Sequence, residues 1–381
     1  MVDADQICFT QDLIRTQSFS GAEKAAADKI AAEMRRLGYD KVMIDENGSV
    51  IGLIVGSLPG KTLLLDGHCD TVSANAADWR YPPYEAVIEN EVLYGRGASD
   101  MKGSLAAIIY AASQVDRARL AGTVAVSTSV IEENMEGGAL RSICDLVKPD
   151  FVVIGEATNF SIKRGGRGRA EVMVTTYGKS AHSSSPEAGL CAVHEMIKAI
   201  SAIDSMPVET HPVVGRGLNV LVDIKSDPYP GHSVLPNTCQ ATYDRRLLPG
   251  ETIESVLESI SALPALREIK HEVDIVDSQE TTYTGKVLSG KKFFPAWVFD
   301  EDNELLQRAL AGLIRVDITP SIGAFQFCTN GAYTAGIAGI PTIGFGPGGE
   351  SDAHTVDEHI SLADLIKARK AFTAIIEQVL S

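Results

Sequence analysis

The stretch from Leu63 to Asp70 (LLLDGHCD) constrains the fold of this 381-residue chain more than any other. Its apolar run follows Pro59-Gly60 and is broken at Gly67, which predicts a buried strand that presents His68 and Asp70 at its end. In open α/β sheets, ligands bind at the carboxyl edge of the strands. Residues two apart on an extended chain point the same way, so one of these side chains could ligate a metal while the other lies beside it. Backbone groups of a loop could equally satisfy both side chains.

Two further apolar stretches also end in acidic residues. Thr123–Val130 leads to Glu132 and Glu133, and Phe151–Ile154 leads to Glu156. Adjacent carboxylates at the end of an apolar strand repel each other and cost desolvation energy unless a cation or a proton stabilises them. A solvated turn is the alternative for the glutamate pair. Three buried strands that each deliver an acid at one edge favour a functional site.

A glycine-rich loop surrounds Asp100 in the sequence GRGASDMKG, just before a helix predicted from Ser104 to about Val115. Asp100 could cap this helix, but it also lies where a third metal ligand would be expected. The loop lacks the spacing and the later acidic partner of a dinucleotide-binding fingerprint. A nucleotide-binding α/β protein therefore remains only an alternative.

Composition excludes several classes of partner. The formal net charge of −16 argues against binding to nucleic acids or anionic membranes. The six cysteines are scattered without a CxxC pair, so neither a disulfide framework nor a zinc–thiolate module is expected. No apolar run approaches the ~20 residues of a membrane span, and the first residues lack the pattern of a secretory signal. We therefore expect a reduced, cytoplasmic protein that binds a small molecule.

The length and the order of elements predict two domains, because 381 residues exceed the size at which a single core stops growing. From about Arg167 the pattern reads strand, helix, strand, strand, helix, strand, which is a complete α+β unit of the ferredoxin-like type. The α/β pattern resumes after Thr282. We predict an α/β catalytic domain with a mixed sheet flanked by helices, formed by residues 1–166 and 279–381. Residues 167–278 are predicted to form the inserted domain. Other predicted elements include helices at Gly21–Leu37 and Ser361–Leu380 and the strand Lys61–Asp66.

The candidate ligands are all imidazoles or carboxylates, with no thiolate among them. They are His68, Asp100, Glu133, Glu156 and His354. Such a set suits Zn²⁺, Mn²⁺ or Co²⁺ rather than a structural zinc. Two ions about 3.5–4 Å apart need a bridging carboxylate, for which Asp100 is the candidate. Asp70 could orient His68, and Glu132 could take a proton from an attacking water.

Six motifs resemble, in order, those of the M20 metallopeptidase family: DGHCDTV, GRGASDMKG, the EEN and GG segment, GEAT, GKSAHSSSPE and DAHTVDEH. This family includes acetylornithine deacetylase, succinyl-diaminopimelate desuccinylase, aminoacylase-1 and carboxypeptidase G2. The resemblance covers nearly the whole chain. Tyr283–Trp297 and the segment CTNGAYTAGIAGIPTIGFGPG look most like the YgeY branch, whose substrates are poorly defined.

The resemblance implies a zinc-peptidase-like dinuclear amidohydrolase, with Co²⁺ or Mn²⁺ as possible substitutes for zinc. One ion would be held by His68, Asp100 and Glu156, and the other by Asp100, Glu133 and His354. Asp70 would orient His68, and Glu132 would act as general base and then as general acid. The Asp100–Met101 peptide bond would be cis.

The inserted domain would be a lid and a dimerisation domain by the same resemblance. His182 would reach the active site of the partner subunit and stabilise the oxyanion, and Arg246 would grip a substrate carboxylate. A salt bridge on the lid surface is the alternative for Arg246. The segment His232–Pro236 differs from the Asn-Val-Ile-Pro that the family often carries, which leaves the polar substrate contact there open.

We therefore predict a hydrolase that cleaves the amide bond of an N-acylated amino acid or of a dipeptide with a free carboxylate. The same site could instead cleave an N-carbamoyl amino acid or a ureide. A non-catalytic binding protein on the M20 scaffold is the alternative from another class, and the presence of Glu132 and all five ligands argues against it. The sequence leaves open the acyl group, the preferred side chain and the native metal.

Overall fold

The computed structural model describes residues 2–381. Within this range the α-helices are Val2–Arg15, Lys24–Arg36, Lys102–Ser113, Leu140–Val147, Ala192–Asp204, Ile253–Ser261, Glu304–Ile314 and Leu362–Val379. A π-helical turn, Ala332–Ile337, and three short 3₁₀ segments complete the helical structure of this range. None of the helices in the described range is long and apolar enough to span a lipid bilayer.

A mixed sheet forms the centre of the molecule and contains nine strands in the described part of the chain. In order across the sheet they are Lys41–Ile44, Val50–Val55, Ala121–Ser129, Leu58–His68, Phe151–Ile154, Thr342–Gly344, Ile162–Gly166 and Trp297–Val298, and Ile322–Phe325 pairs with Ile162–Gly166. The four middle strands, from Ala121–Ser129 to Thr342–Gly344, are parallel to one another. Antiparallel strands flank them at each side.

The leucine run forms a buried strand, as the sequence predicts, but the strand spans Leu58–His68 rather than Lys61–Asp66. It lies in the middle of this sheet. Leu63, Leu64 and Leu65 are completely buried. Leu63 and Leu65 pack into the core beneath helices Lys102–Ser113 and Leu362–Val379, whereas Leu64 packs on the opposite face with Leu140 and Ile143. A strand covered on both faces requires such a continuous apolar run.

A second, antiparallel sheet has its own core. Its strands are Leu218–Asp227, Thr238–Leu247, Gly168–Tyr177 and His271–Ile275, in that order, and Phe293–Phe294 also pairs with Gly168–Tyr177. Helices Ala192–Asp204 and Ile253–Ser261 complete the strand, helix, strand, strand, helix, strand order of a ferredoxin-like unit. Met196, Tyr243 and Val256 belong to its separate apolar core. We call this unit the lid and keep residues 167–278 as its proposed extent.

Three small sheets connect the remaining segments. They pair Thr210–His211 with Gly215–Arg216, Asp277–Thr281 with Val287–Lys291, and Val92–Tyr94 with both Val87–Glu89 and His359–Ser361. All six cysteines are free thiols. The last pairing matters for the site, because it brings the segment before His359 next to the loop that carries Asp100.

The sequence analysis did not predict the first helix, Val2–Arg15. Polar Gln6 and Thr10 are buried in it alongside Phe9 and Leu13. Gln6 is satisfied there because its Nε2 donates to the main-chain oxygen of Leu365 at 2.8 Å. Buried polar residues interrupt the apolar periodicity by which an amphipathic helix is recognised.

Candidate active site

Three neighbouring parallel strands end at the same level of the sheet. His68 pairs in register with Ser129, and Asp66 pairs with Ile154. The residues that follow these strand ends therefore converge, and they include Glu132, Glu133 and Glu156. This is the convergence that the apolar strands and their acidic ends predict.

Asp100 lies between two histidines. Its Oδ1 is 3.1 Å from Nε2 of His68, and its Oδ2 is 3.2 Å from Nε2 of His354. Glu156 Oε1 is 3.5 Å from the same nitrogen of His68, and Glu133 Oε2 is 3.0 Å from that of His354. We refer to these five residues as the ligand cluster. The structure brings all five predicted ligands together, with Asp100 between the two histidines.

Buried Glu358 holds the loop that carries Asp100, and the sequence analysis missed this role. Its Oε1 accepts hydrogen bonds from the main-chain nitrogens of Gly97, Ser99 and Asp100 at 2.9–3.1 Å. Arg96 Nη1 donates to Oε2 at 2.5 Å. Arg96 lies in the motif GRGASDMKG and Glu358 in the motif DAHTVDEH. The opposite charges of these two residues were the sequence signal from which their pairing could have been predicted. The Asp100–Met101 peptide bond is cis, as the resemblance implied.

Asp70 contacts His68 mainly through its backbone. Nδ1 of His68 is 3.0 Å from the main-chain oxygen of Asp70 and 3.6 Å from Oδ1. The carboxylate of Asp70 accepts hydrogen bonds from the main-chain nitrogens of Glu132 and Glu133, at 3.2 and 3.1 Å, and from Oγ of Ser20 at 2.7 Å. Asp70 therefore ties the segment with the glutamate pair to the turn that follows His68.

A buried hydrogen-bond network connects the ends of the central strands to the turn that follows Glu133. Asn330 Nδ2 donates to Asp66 Oδ2 at 2.7 Å and to Ser129 Oγ at 2.9 Å, and Asn330 Oδ1 accepts from the main-chain nitrogen of Gly137 at 2.7 Å. Ser127 Oγ donates to Asp66 Oδ1 at 2.5 Å. Asn330 thus fixes both the central strand and the turn after Glu133, although nothing in its local sequence indicates this.

Crowding of acids shifts the pKa values at the cluster. Burial and then the charge of Asp100 raise the pKa of Glu156 to about 8. Burial also raises the pKa of Glu132 well above its usual range, and the neighbouring glutamates add to this although His68 opposes it. Hydrogen bonds with Asp100 and Glu133 raise the pKa of His354 to about 10. For His68, burial lowers the pKa, but Asp100 and the nearby glutamates outweigh burial and raise it well above its usual range.

The residues present fit a pair of divalent cations. Oxygen and imidazole donors surround Asp100, and three groups at a time approach closely enough to share one ion, such as His68 with Glu132 and Glu156, or with Asp100 and Glu133. Oε1 of Glu133 is buried and has no hydrogen-bond partner among the described residues. An unpaired buried carboxylate oxygen is costly, and a cation would satisfy it. Hard oxygen and imidazole donors are the ligands of catalytic zinc, manganese and cobalt sites.

The cluster opens into a cavity of about 330 Å³ between the large sheet and the lid. Its lining comprises Asp100, Glu132, Glu133, Glu136, Glu156, Arg169, Arg246, Phe327, Cys328, Glu350, Ala353 and His354. Arg246, predicted as a substrate ligand, reaches the cavity from the lid strand Thr238–Leu247, and its Nε is 2.9 Å from Asp244 Oδ1. Glu136 and Arg169 were not predicted to lie here.

His182 does not join this cavity in the described chain. It is exposed, its Nδ1 lies 2.8 Å from Oγ of Ser184, and it bridges to Val234 within the lid. The cavity lining does not include it. The predicted action of His182 on the partner subunit remains a prediction.

The geometry describes a metallohydrolase of the α/β class, and the comparisons with known proteins agree. Residues 64–378 match the model of Peptidase family M20/M25/M40. The chain is 33% identical to the uncharacterized protein YgeY of Escherichia coli (strain K12) over 98% of this chain and 94% of that protein. The chain belongs to peptidase family M20, a family of metallohydrolases that act on amide and peptide bonds.

Two further relatives illustrate the range of this family. Succinyl-diaminopimelate desuccinylase 2 of Ruegeria sp. (strain TM1040) is 26% identical over 95% of this chain and 91% of that protein. The crystal structure of Bacillus subtilis YxeP, a dinuclear metal-binding peptidase of the M20 family, matches with a TM-score of 0.71. That match covers 100% of this chain and 98% of YxeP at 15% identity, so it supports the fold of the large sheet and the lid.

Proposed function

We propose that the protein is a dinuclear-metal amidohydrolase that cleaves the amide bond of an N-acylated amino acid or of a dipeptide with a free carboxylate. The position of Asp100 carries the proposal. Each of its two oxygens faces the Nε2 atom of a different histidine at 3.1–3.2 Å. A carboxylate placed in this way is suited to bridge two ions.

Each ion would have three protein ligands. His68, Asp100 and Glu156 would hold one ion, and Asp100, Glu133 and His354 would hold the other. Zn²⁺ is the ion we propose, with Co²⁺ or Mn²⁺ as substitutes, because the donors are imidazoles and carboxylates. When bound, the ions would polarise the scissile carbonyl and acidify the attacking water. Half-exposed His354 lies at the open side of the cluster, where a substrate would enter.

Glu132 is the proposed general base and general acid. Its carboxylate is buried, and its Oε2 lies 4.0 Å from Nε2 of His68. It lines the cavity but is not needed as a ligand once Glu133 and Glu156 are assigned. Burial raises the pKa of Glu132 well above its usual range. A carboxyl with a raised pKa can accept a proton from water and return it to the leaving amine.

The substrate class follows from Arg246 and from the relatives. Arg246 brings a guanidinium group to the wall of a cavity otherwise rich in acids. A free carboxylate on the substrate would fit this group, since guanidinium binds carboxylates through paired hydrogen bonds. The desuccinylase relative cleaves an N-acyl group by its name, which supports an amide substrate for this chain too.

We also propose that the protein is a dimer through the lid and that His182 acts on the partner's site. The lid strand Leu218–Asp227 is at the edge of its sheet and exposes Val220, Val222 and Ile224. An exposed apolar edge strand is suited to pair with a second copy. Exposed His182 lies in the same lid. It would donate to the oxyanion formed in the partner, a contribution of roughly 3 kcal/mol.

A substrate panel tests the proposal. Zinc-reconstituted enzyme is assayed with N-acetyl, N-succinyl, N-carbamoyl and glycyl derivatives of amino acids, and Glu132→Ala serves as the blank. Release of the free amino acid from an acyl or glycyl substrate by the wild type alone supports the proposal. Release of ammonia and CO₂ would indicate the carbamoyl alternative. Equal activity of wild type and Glu132→Ala, or no hydrolysis of any substrate, would reject the proposed amidohydrolase function.

A further inference from the structure

Glu23 binds the chain segment that carries the proposed general base. It directly precedes helix Lys24–Arg36, and it is completely buried. Its Oε1 accepts a hydrogen bond from the main-chain nitrogen of Ile131 at 3.0 Å and another from that of Gly21 at 2.9 Å. Ile131 is the residue before Glu132. Glu23 therefore holds the backbone next to the proposed base from 108 positions away in the chain.

Two buried carboxylates hold three consecutive main-chain nitrogens around Glu132. Asp70 accepts hydrogen bonds from the nitrogens of Glu132 and Glu133, at 3.2 and 3.1 Å. Glu23 accepts from the nitrogen of Ile131, the residue on the other side of Glu132. We call residues 131–133 the base segment. Its backbone is thus fixed both before and after the side chain that is proposed to transfer the proton.

The backbone conformation of Ile131 explains why a partner is needed there. Its φ is 61°, which lies in the left-handed region that β-branched side chains rarely adopt. Such a conformation costs free energy and persists only where the surrounding structure holds it. The hydrogen bond from Ile131 to Glu23 stabilises this turn, and the turn directs Glu132 into the cavity.

The surroundings of Glu23 are unfavourable for a carboxylate. Its Oε2 is buried and has no hydrogen-bond partner in the part of the chain that the structure describes. Burial and then the charge of Asp70 raise the pKa of its carboxyl to about 7. A buried carboxylate in such surroundings lowers the stability of the fold. Costs of this kind are expected where a residue serves function rather than stability.

We propose that Glu23 is a positioning residue for proton transfer: by holding the nitrogen of Ile131, it fixes the orientation in which Glu132 faces the attacking water. Within residues 2–381, Glu23 does not line the cavity and makes no side-chain hydrogen bond to the five proposed ligands. Its effect on the reaction therefore passes through the base segment. This inference rests on the proposed role of Glu132 in the amidohydrolase reaction.

Variants that separate side-chain length from charge test the inference. Glu23→Gln keeps the length and an oxygen that can accept the same two hydrogen bonds. Glu23→Asp keeps the charge but withdraws the carboxylate by about 1.5 Å. The zinc-reconstituted enzymes are assayed on the acyl or glycyl substrate that the wild type hydrolyses best. Glu23→Asp and Glu23→Ala should lower kcat about 10- to 100-fold at nearly unchanged KM, whereas Glu23→Gln should keep most of the wild-type kcat.

Glu195→Ala is the matched control. Glu195 is also a buried glutamate at the start of a helix, but it lies in the lid and pairs with Lys198 at 2.7 Å. Its removal should leave kcat unchanged, which separates the effect of Glu23 from a general effect of removing a buried glutamate. Zinc content, measured by mass spectrometry, should be equal in all of these proteins, because neither glutamate is a proposed ligand.

Hydrogen–deuterium exchange gives a readout that does not require catalysis. The amide of Ile131 loses its acceptor in Glu23→Ala, so the peptide that contains the base segment should exchange about tenfold faster in the zinc-free variant than in the wild type. Glu23→Gln and Glu195→Ala should exchange this peptide at nearly the wild-type rate.

Three results would each overturn the inference: wild-type kcat in Glu23→Asp and Glu23→Ala, a loss of kcat that only follows a loss of zinc, or a loss in Glu23→Gln as large as that in Glu23→Ala. Hydrolysis by the wild type together with any of these results leaves the amidohydrolase in place. Faster exchange of the base segment in Glu23→Ala without hydrolysis of any substrate by the wild type would instead reject the amidohydrolase. Glu23 would then hold the backbone of Ile131 without a role in proton transfer.

Discussion

The ligand cluster and the lid present their candidate functional side chains in different ways. His68 ends one of three adjacent parallel strands, and Glu133 and Glu156 follow the other two. The buried carboxylate of Asp70 fixes the segment that carries Glu133. In the lid, His182 is exposed, and Arg246 pairs with neighbouring Asp244. The large sheet thus brings all five proposed metal ligands together within one chain, whereas the lid contributes single groups to the cavity and its surroundings. We expect variants of the cluster to act within the subunit, and variants of the lid to depend on how the lid meets a substrate or a second subunit.

The largest effect is expected from Glu132→Gln. The amide retains the shape of the side chain but cannot accept the proton, so kcat should fall by about 10²- to 10⁴-fold. Zinc content, measured by mass spectrometry, should stay at the wild-type value, because Glu132 is not one of the proposed ligands. Loss of zinc from this variant would mean that Glu132 is itself a ligand. This alternative is possible because Glu132, His68 and Glu156 lie close enough together to share one ion.

His182→Ala should lower kcat by about 10²- to 10³-fold, because one donor to the oxyanion is lost. Mixed dimers distinguish action of His182 within its own subunit from action across the interface. Subunits with His182→Ala and subunits with Glu132→Gln are co-expressed with different tags, and the doubly tagged dimers are purified. If His182 acts across the interface, one of the two sites is intact and about half of the wild-type activity returns. If the mixed dimers are inactive, His182 either acts on the active site of its own subunit or has no role in catalysis.

Asp70→Ala should lower activity by about 10- to 100-fold while the protein still folds and binds zinc. The structure adds a second reason for this effect, because the Asp70 carboxylate binds the main-chain nitrogens of Glu132 and Glu133. Ser20→Ala is the milder control, since it removes only one hydrogen bond to the same carboxylate. Unchanged kcat/KM in Asp70→Ala would contradict the role of Asp70 in positioning these residues.

Arg246→Lys should raise KM about tenfold with a smaller change in kcat, because lysine keeps the charge but cannot form paired hydrogen bonds with a carboxylate. Substrates whose carboxylate is replaced by an amide should not distinguish the variant from the wild type. If the variant affects both substrates equally, Arg246 is a structural partner of Asp244 rather than a substrate ligand.

The sequence could predict the convergence of His68, Glu132 and Glu156 because each follows an apolar strand, and parallel strands end at one edge of a sheet. It could not predict the supports of the site, because these join distant parts of the chain. Glu358 binds the nitrogen of Asp100 across 258 positions, and Asn330 binds Asp66 across 264 positions. The pairing of Glu136 with Arg169 depends in the same way on where the lid meets the large sheet. Local pattern contains no information on such pairings, and buried Gln6 and Thr10 concealed the first helix for a related reason.

The smallest expected effect concerns stability rather than catalysis, and it tests whether buried hydrogen bonds hold the segments around the ligand cluster in place. Asn330→Ala leaves Asp66 Oδ2 and the main-chain nitrogen of Gly137 without their buried partner. The free energy of unfolding, measured by urea denaturation of the zinc-free protein, should fall by about 1–3 kcal/mol. Asn134→Ala removes an exposed hydrogen bond to Glu280 in the same segment and should change it by less than about 0.5 kcal/mol. Equal stability of the two variants would mean that water replaces the hydrogen bonds of Asn330 to Asp66 and to Gly137. The turn that carries Glu136 would then not depend on Asn330 for its position.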